Sequence, residues 1–273
     1  MAKEKLRKKY MMLGVVLMVG IGITLSGCGD KKGNGSRDNE QGISDLNEDG
    51  VKNYKDVALK ALEERYGEEF EIKQVGGTFT SRVHGKKLIC NPISNPAKFC
   101  FVEVDPKTSE VYDDYTNRIM EIKLGELLEE NSKERFGDKV RVKLEFVSVY
   151  DKHIFLDMDP IEFFKENTLA GYAIDIFIKL DGNINKSEEA IKVETFMNNL
   201  VNMGLDKNSY GIFWYCTEDV YSNLDNKYYE LQFTGNTVDF YKESQNSYNR
   251  THAEIKNNKL KESVNEIEEN FNH

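Results

Sequence analysis

The chain has 273 residues, a formal net charge of −10 and 31% charged residues. Hydrophobic residues make up 39% of it, and its 15 Phe and 14 Tyr are enough to build packed cores. With 4 Pro and 20 Gly, this composition excludes collagen-like, low-complexity and wholly disordered proteins. The length allows one large domain or two small ones.

The beginning of the chain predicts a signal peptide over residues 1–27. Five Lys and Arg residues precede position 10, and residues 10–29 carry no charge, which is the order of a basic n-region and an apolar h-region. The uncharged run contains Leu25-Ser26-Gly27-Cys28, which resembles the lipobox of bacterial lipoproteins. The resemblance implies that a diacylglyceryl group is transferred to Cys28 and that the chain is cleaved before it. The alternative is an uncleaved helix that spans the membrane, for which the run is long enough.

The lipid on Cys28 sets the expected location of the mature chain. Two acyl chains hold a protein stably at a membrane, whereas one gives only marginal binding. We therefore expect the chain to be anchored on the outer face of the bacterial cytoplasmic membrane, which is the cell surface in a Gram-positive host. The uncleaved alternative also places the rest of the chain outside.

The charge of the mature chain bears on its partners. Cleavage before Cys28 removes five positive charges and one negative charge, which leaves −14. So acidic a body is not drawn to nucleic acid or to anionic lipid headgroups, and it suits cations or basic partners better. Simple solubility is the alternative explanation of the charge.

Residues 28–52, rich in Gly, Asn, Asp, Lys and Ser, predict a flexible linker that holds the folded part roughly 25–30 Å from the lipid.

A candidate calcium loop closes the linker. The twelve residues 45–56 carry oxygen side chains at loop positions 1, 3, 5, 9 and 12, with Gly50 at the sharp turn. The spacing predicts a Ca²⁺ site formed by Asp45, Asn47, Asp49, the carbonyl of Val51, Asn53 and Asp56. The loop resembles the calcium half-hand of dockerin modules, but Lys52 stands where that family has an apolar residue, and no second copy follows. The alternative is a turn followed by a helix N-cap.

The folded part predicts an α+β protein of two modules in tandem. The first module, residues 53–137, is expected to contain a helix that ends at Gly67, an antiparallel meander and a second helix up to residue 136. The meander strands are predicted near residues 70–75, 87–90, 99–104 and 111–115. Residues 64–68 and 134–138 resemble each other at an offset of 70, which indicates either a weak internal repeat or convergence of two helix-Gly-strand joints.

The second module is predicted over residues 138–250. Strict alternation from Tyr172 to Leu180 indicates a strand, apolar spacing over 187–203 indicates a helix, and a strand and a hairpin follow near 212–216 and 229–240. Residues 251–273 are predicted to form a C-terminal amphipathic helix. Strands and helices do not alternate steadily, which favours α+β over a doubly wound sheet.

The segment 101–111 resembles the hairpin of PepSY modules, in which two strands flank an Asp-x-x-Thr turn. Those modules are extracytoplasmic α+β units that bind or inhibit other proteins, so the resemblance implies a role in protein binding. Ser109 stands where that family usually has Gly. An ordinary Asp105-Pro106 hairpin turn is the alternative.

Cysteine chemistry is predicted at one pair. Cys90 and Cys100 flank a short loop between two predicted strands, and a disulfide between them is expected to contribute about 2–3 kcal/mol. Two buried thiols are the alternative. Cys216 alternates with Trp214 and Ile212 on an apolar face, which indicates a core position.

No residue set predicts catalysis. The chain has 4 His and lacks the His-Glu-x-x-His, paired Cys-x-x-Cys and Gly-x-Ser-x-Gly motifs. Asp151, Asp157 and Asp159 are candidates for an acidic cluster, although Asp159 before Pro160 is better placed to cap a helix. We therefore name no catalytic residue and expect a membrane-anchored lipoprotein that acts as a non-catalytic module and binds another protein, such as an envelope protein, or a ligand. The alternatives are a carboxylate-based envelope hydrolase and a calcium-responsive spacer.

Overall fold

A computed structural model describes residues 53–76, 83–96, 98–146, 156–166, 171–180, 182–224 and 249–271. They form two compact units, which divide between Asp113 and Asp114. The signal peptide, the linker up to residue 52 and the predicted hairpin at 229–240 lie outside the described residues. In the stretches that are described, no helix is both long and apolar enough to cross a membrane.

The first unit is a helix packed on a four-stranded antiparallel meander of order β1-β2-β3-β4. Its elements are α1 (Tyr54–Tyr66), β1 (Phe70–Val75), β2 (Lys86–Pro92), β3 (Cys100–Val104) and β4 (Val111–Asp113). Helix α1 buries Ala58 and Leu62. The predicted helix followed by a meander is therefore confirmed.

Both ends of helix α1 are fixed by local chemistry. The Asn53 side chain accepts a hydrogen bond from the Lys55 backbone N–H at 3.2 Å, which satisfies one donor of the first turn. Gly67 ends the helix with φ 71°, a left-handed conformation that suits glycine. The last turn is then held to β4, because Tyr66 donates its hydroxyl to Asp113 at 2.6 Å and Arg65 forms an ion pair with the same carboxylate.

The β3–β4 connection is the hairpin turn that Asp105-Pro106 predicts. The Asp105 carboxylate accepts hydrogen bonds from the backbone N–H groups of Lys107 at 2.7 Å and Thr108 at 3.3 Å. Ser109 has φ 59°, so the left-handed position of this turn carries a residue with a Cβ atom. The hairpin is confirmed, and the wider likeness to PepSY modules stays a prediction.

The second unit is a five-stranded sheet of order β5-β6-β7-β8-β9. Strands β6 and β7 are parallel, and the other neighbours are antiparallel. Its elements are α2 (Tyr115–Phe136), β5 (Val140–Phe146), α3 (Pro160–Glu166), β6 (Tyr172–Lys179), α4 (Lys186–Asn202), β7 (Ser209–Cys216), α5 (Glu218–Ser222), β8 (Asn249–Lys256), β9 (Lys259–Leu260) and α6 (Val264–Glu269). Two sheets with packed helices, one after the other, confirm the predicted α+β class.

The core of the second unit lies on one face of its sheet. Four residues of the predicted alternating pattern on β6 are buried in this core: Tyr172, Ile174, Ile176 and Ile178. They pack with the apolar residues that α4 buries, which are Ala190, Val193, Phe196, Met197 and Leu200. Each large side chain buried in this way contributes about 1.5–3 kcal/mol.

Two of the expected boundaries are corrected by the structure. Helix α2 belongs to the second unit, not to a first module of residues 53–137, because Leu124 and Leu128 pack into the core with Val140 of β5. The C-terminal helix is shorter than the predicted 251–273. Asn249–Lys256 and Lys259–Leu260 are strands, because they pair with β7 and with each other, and the helix is confined to Val264–Glu269.

The similarity between residues 64–68 and 134–138 is confined to a joint. Both helices end at a glycine of positive φ, and β1 and β5 begin three residues later. The two glycines differ in ψ, which is 20° at Gly67 and 174° at Gly137, and the sheets that follow differ in strand direction. These differences favour convergence of the two joints over a repeat.

Candidate functional site

Most of the predicted lipid and calcium residues lie outside the described part of the chain: Cys28, Asp45, Asn47, Asp49 and Val51. Asn53 and Asp56 are described, and they serve the start of helix α1 as its N-cap and as a first-turn acid. Both roles belong to the alternative explanation of the loop, and calcium binding stays a prediction. The described residues contain no group of three or more His, Cys, Asp or Glu arranged to hold a metal ion.

Only two of the three predicted acidic residues, Asp157 and Asp159, belong to the described part of the chain. Asp151 lies outside the described residues, and Asp157 and Asp159 are exposed. Asp159 caps α3, because its carboxylate accepts hydrogen bonds from the backbone N–H groups of Ile161 at 2.9 Å and Glu162 at 3.1 Å. The predicted cap is confirmed.

The cysteines are buried. Cys90 and Cys100 are direct partners in the β2–β3 register, and each is 0% exposed and carries a thiol. The disulfide between them stays a prediction. Cys216 is fully buried beside Trp214, as its alternating position predicted.

Buried acids in the first unit bind fixed donors. Glu103, on β3, accepts a hydrogen bond from the Gly85 backbone N–H at 2.6 Å. The side chain of Asp113, on β4, is 1% exposed and binds Arg65 and Tyr66 of α1. Both carboxylates therefore hold elements together, in positions that leave them little contact with solvent.

Two acids on helix α2 cover the edge of β5. The Glu121 carboxylate accepts a hydrogen bond from the Phe146 backbone N–H at 2.8 Å, and that of Glu129 accepts one from Val142 at 3.1 Å. Eight helical residues span about 12 Å, and four strand residues span about 13 Å. The two spacings match, so a pair of glutamates eight apart can serve two edge amides four apart. We call Glu121 and Glu129 the edge clamp.

Gly125 lies midway between the two glutamates of the edge clamp and lets the helix approach the strand. A Cβ atom at this position would meet the Val142 carbonyl oxygen at 3.4 Å. A longer side chain here would push α2 away from β5 and lengthen both glutamate hydrogen bonds. The two glutamates and the glycine are the signal of this arrangement in the sequence, and it is a weak one because acids on a charged helix are usually solvated.

The pKa of the Glu121 carboxyl is strongly raised. Burial raises its pKa to about 8, although the Arg118 guanidinium at 2.9 Å and the Phe146 N–H act in the opposite direction. The charges of Glu145 and Asp114 raise it further. A carboxyl with such a pKa can serve as a general acid, provided that substrate reaches it.

The opposite face of the second sheet carries an ordered row of aromatic and cationic side chains. Arg141, Phe177, Trp214 and Arg250 are partners in register across β5, β6, β7 and β8, and we call them the Trp214 row. The rings of Phe177 and Trp214 are nearly parallel, with centroids 6.2 Å apart. The Arg250 guanidinium lies 5.5 Å from the Trp214 ring centre, where a cation is attracted to the ring face.

The two aromatic side chains of the Trp214 row are buried, whereas its two arginines are partly exposed. Trp214 is 2% exposed, and its Nε1–H donates to the Asp175 carboxylate at 2.8 Å. Beyond the row, the rings of Tyr210 and His252 lie 5.5 Å apart, and burial raises the pKa of Tyr210 to about 12. These groups supply stacking and hydrogen bonds between neighbouring strands.

Comparison with known proteins finds one solved structure with weak similarity to this chain. No family model and no curated protein matches the chain. A crystal structure of a DUF5037 family protein from Ruminococcus gnavus ATCC 29149 is similar, with 13% identity and a TM-score of 0.49. The similarity covers 78% of this chain and 96% of that one. At this level the likeness assigns no function.

Proposed function

We propose that the protein is a lipid-anchored, extracytoplasmic binding module that acts without catalysis. The observation that carries the proposal is that the buried and half-buried acids bind groups of their own unit. A carboxylate hydrolase needs an acid and a base that face the substrate. Here Glu103, Asp113 and the edge clamp face backbone amides and fixed side-chain donors of their own unit.

The anchor rests on the sequence. Leu25-Ser26-Gly27-Cys28, at the end of an uncharged run that follows a basic start, is the arrangement that lipoprotein processing needs. The linker after Cys28 gives the folded units room to meet a partner above the headgroups.

The charge of the mature chain selects the class of partner. A body of charge −14 attracts a partner that presents Lys and Arg, and long-range attraction raises the rate of encounter. We therefore propose an envelope protein with a basic surface, with no role for nucleic acid.

Lipidation is tested by metabolic labelling with an alkyne fatty acid. The wild-type chain should be labelled, and Cys28→Ser should lose the label. Cys216→Ser is the matched control, since Cys216 is buried and its change should leave the label in place. Label that persists in Cys28→Ser would contradict the anchor.

Binding is tested by chemical crosslinking of the tagged full chain in native membranes, followed by mass spectrometry. We expect one basic envelope protein at a yield close to that of the bait. An unrelated lipoprotein, crosslinked in the same membranes, controls for proximity in the anchored state. Recovery of no protein above the background of an unrelated lipoprotein would contradict the proposed function.

The hydrolase is kept as a second candidate because the pKa of Glu121 is raised to about 8. The full chain is incubated with isolated cell wall, and the release of soluble fragments is measured. We expect no release. Release that is lost in Glu121→Gln, and retained in Glu130→Gln on the exposed side of α2, would favour the hydrolase.

The calcium-responsive spacer is tested by calorimetric titration of the full chain with Ca²⁺. Heat that disappears in Asp49→Asn would favour a spacer whose loop adjoins α1. Absence of heat at millimolar Ca²⁺ would remove this alternative.

A further inference from the structure

The pair Cys90 and Cys100 has chemistry that the proposed function does not use. The two residues lie directly opposite each other on β2 and β3, and both side chains are fully buried. Two cysteines in this relation are usually assigned a disulfide. The hydrogen-bond pattern of the sheet decides whether that assignment suits these two strands.

The backbone direction of β2 follows from its contacts with β1. The Gly76 N–H donates to the Lys87 carbonyl at 2.7 Å, so Lys87 directs its backbone groups toward β1. Directions alternate along a strand, and Cys90 therefore directs its N–H and C=O toward β3. Since its partner there is Cys100, the two residues form a hydrogen-bonded pair of the antiparallel ladder.

Residues of a hydrogen-bonded pair lie farther apart across an antiparallel ladder than residues of a pair that is not hydrogen-bonded. Opposite Cβ atoms in antiparallel sheets are about 4.5–5.5 Å apart, and the closer values belong to pairs that are not hydrogen-bonded. A disulfide needs Cβ atoms about 3.5–4.5 Å apart. A bond between Cys90 and Cys100 therefore requires their Cβ atoms to move closer together than the regular hydrogen-bonded pairing of β2 and β3 places them.

We propose that Cys90 and Cys100 are a redox-responsive pair: the folded first sheet holds them as two thiols, and a disulfide forms between them only when β2 and β3 separate. Pairing of β2 with β3 then disfavours the disulfide, and the disulfide disfavours pairing of the two strands. The redox state of the pair records whether the strands paired before or after the chain met an oxidant. The proposal goes beyond the proposed binding function and does not depend on it.

The surroundings of Cys90 slow its reaction in the closed sheet. Burial, with the charge of Asp113, raises the pKa of the Cys90 thiol to about 12. The thiolate is the species that attacks a disulfide, so very little of the reactive form is present near neutral pH. Separation of the strands exposes both sulfurs and returns them to ordinary thiol reactivity.

The oxidant is a small disulfide, R–S–S–R. One cysteine thiolate attacks a sulfur of R–S–S–R and expels R–S⁻, which leaves a mixed disulfide on the protein. The second thiolate attacks the protein sulfur of that mixed disulfide and expels the other R–S⁻. The two expelled thiolates take up the two protons that the cysteines lost. The pair gives up two electrons, and two molecules of R–SH are formed.

The test uses the full chain and oxidised glutathione. Protein is incubated with the oxidant in native buffer or in urea, then unfolded and alkylated, and the peptides are identified by mass spectrometry. In native buffer we expect Cys90 and Cys100 to be alkylated, and in urea we expect the disulfide at least tenfold faster. Cys216, buried in the second unit, reports whether urea has exposed the whole chain.

The state of the oxidised sheet provides the second measurement. After oxidation in urea and removal of the urea, amide hydrogen exchange should show loss of protection at Leu88 and Val102, which are partners two residues from the pair along each strand. Oxidation in native buffer as fast as in urea, or full protection of these amides in the oxidised chain, would overturn the proposal.

A matched control moves the pair by one residue along each strand. Ile89 and Phe101 are partners in the same register and form a pair that is not hydrogen-bonded, so their Cβ atoms are closer. The control chain carries Ile89→Cys and Phe101→Cys, with Cys90→Ser and Cys100→Ser. Its disulfide, made in urea, should leave strand protection intact after refolding. If the control chain does not fold, the wild-type measurements still decide the proposal.

Discussion

Ser109 holds a left-handed backbone conformation without being glycine. At φ 59° the Cβ atom crowds the neighbouring backbone, which costs about 1–2 kcal/mol. Glycine removes this crowding but loses about 0.5–1 kcal/mol through the entropy of the unfolded chain. We therefore expect Ser109→Gly to raise the free energy of unfolding by about 0.5–1 kcal/mol, measured by urea denaturation.

Lys107 provides the control for this prediction. It lies in the same exposed turn but outside the set of described non-glycine residues with positive φ. Lys107→Gly should therefore lower the free energy of unfolding, because it gains only the entropic penalty. A stabilisation of equal size at both positions would contradict the assigned conformation of Ser109.

The raised pKa of Glu121 on α2 makes the stability of the protein depend on pH. Its pKa is raised to about 8 in the folded protein and is near 4.5 in the unfolded chain. Between these values the folded state binds more protons, so the free energy of unfolding falls as pH rises. The stabilising contribution of Glu121 is complete below about pH 4.5 and is lost as pH passes through about 8.

Urea denaturation between pH 5 and 8.5 measures this effect. One proton corresponds to a slope of at most about 1.4 kcal/mol per pH unit. Glu121→Gln should flatten the curve, and Glu130→Gln, on the exposed side of the same helix, should leave its slope unchanged. Parallel curves for the wild type and Glu121→Gln would contradict the raised pKa.

At the scale of elements, the sheet edges are closed or shortened. The edge clamp covers β5, and Arg65 donates to the Val111 carbonyl of β4 at 3.2 Å. Strand β1 is interrupted by a register shift between Ile72 and Gln74, and β9 has two residues. Such devices prevent unwanted strand pairing. A binding partner is therefore expected to meet side-chain surfaces instead of adding a strand.

The edge clamp is tested through Glu129. Glu129→Ala removes the acceptor for the Val142 N–H and the ion pair with Arg141. We expect the free energy of unfolding to fall by about 1–2 kcal/mol and amide exchange at Val142 to accelerate. Glu126→Ala, exposed on the same helix, should change stability by less than about 0.5 kcal/mol. Unchanged exchange at Val142 would contradict the clamp.

Periodicity was sufficient for the elements whose apolar residues are large and local. The alternation of Ile174, Ile176 and Ile178 predicted β6, and Gly67 predicted the end of α1, as found. Strand β8 was missed because its core residues include Thr251 and Ala253, which show little apolar contrast with their charged neighbours. In addition, β8 pairs with β7, which is distant in sequence, and a local sequence pattern does not reveal such a pairing.

The site was less predictable than the fold for a physical reason. Glutamates on a helix such as α2 are usually solvated, so the pattern gave no reason to bury Glu121 or to place Glu129 against a strand. Only the position of β5, whose edge amides need acceptors, gives these acids their role. The cysteine pair was predictable as neighbours from strand spacing, whereas its hydrogen-bonded register depends on the pairing of β1 with β2.

For the whole molecule, the linker and the charge are related. An acidic body of charge −14 is repelled by an anionic lipid surface, and the Debye length at physiological salt is about 8 Å. The linker's expected reach, roughly 25–30 Å, is several times larger. If Cys28 is lipidated as proposed, the folded units can lie beyond the range of repulsion and still be held at the membrane. Long-range attraction then remains available for a basic partner.

The salt dependence of partner capture tests this electrostatic account. Attraction between exposed charges weakens as the Debye length falls from about 10 Å at 0.1 M salt to about 3 Å at 1 M. Crosslinking in native membranes should therefore yield severalfold less partner at 1 M than at 0.1 M salt, with equal recovery of the bait. The same series with a neutral lipoprotein controls for effects of salt on the crosslinker. A yield that does not change with salt would show that the −14 charge serves solubility alone and that apolar contacts hold the partner.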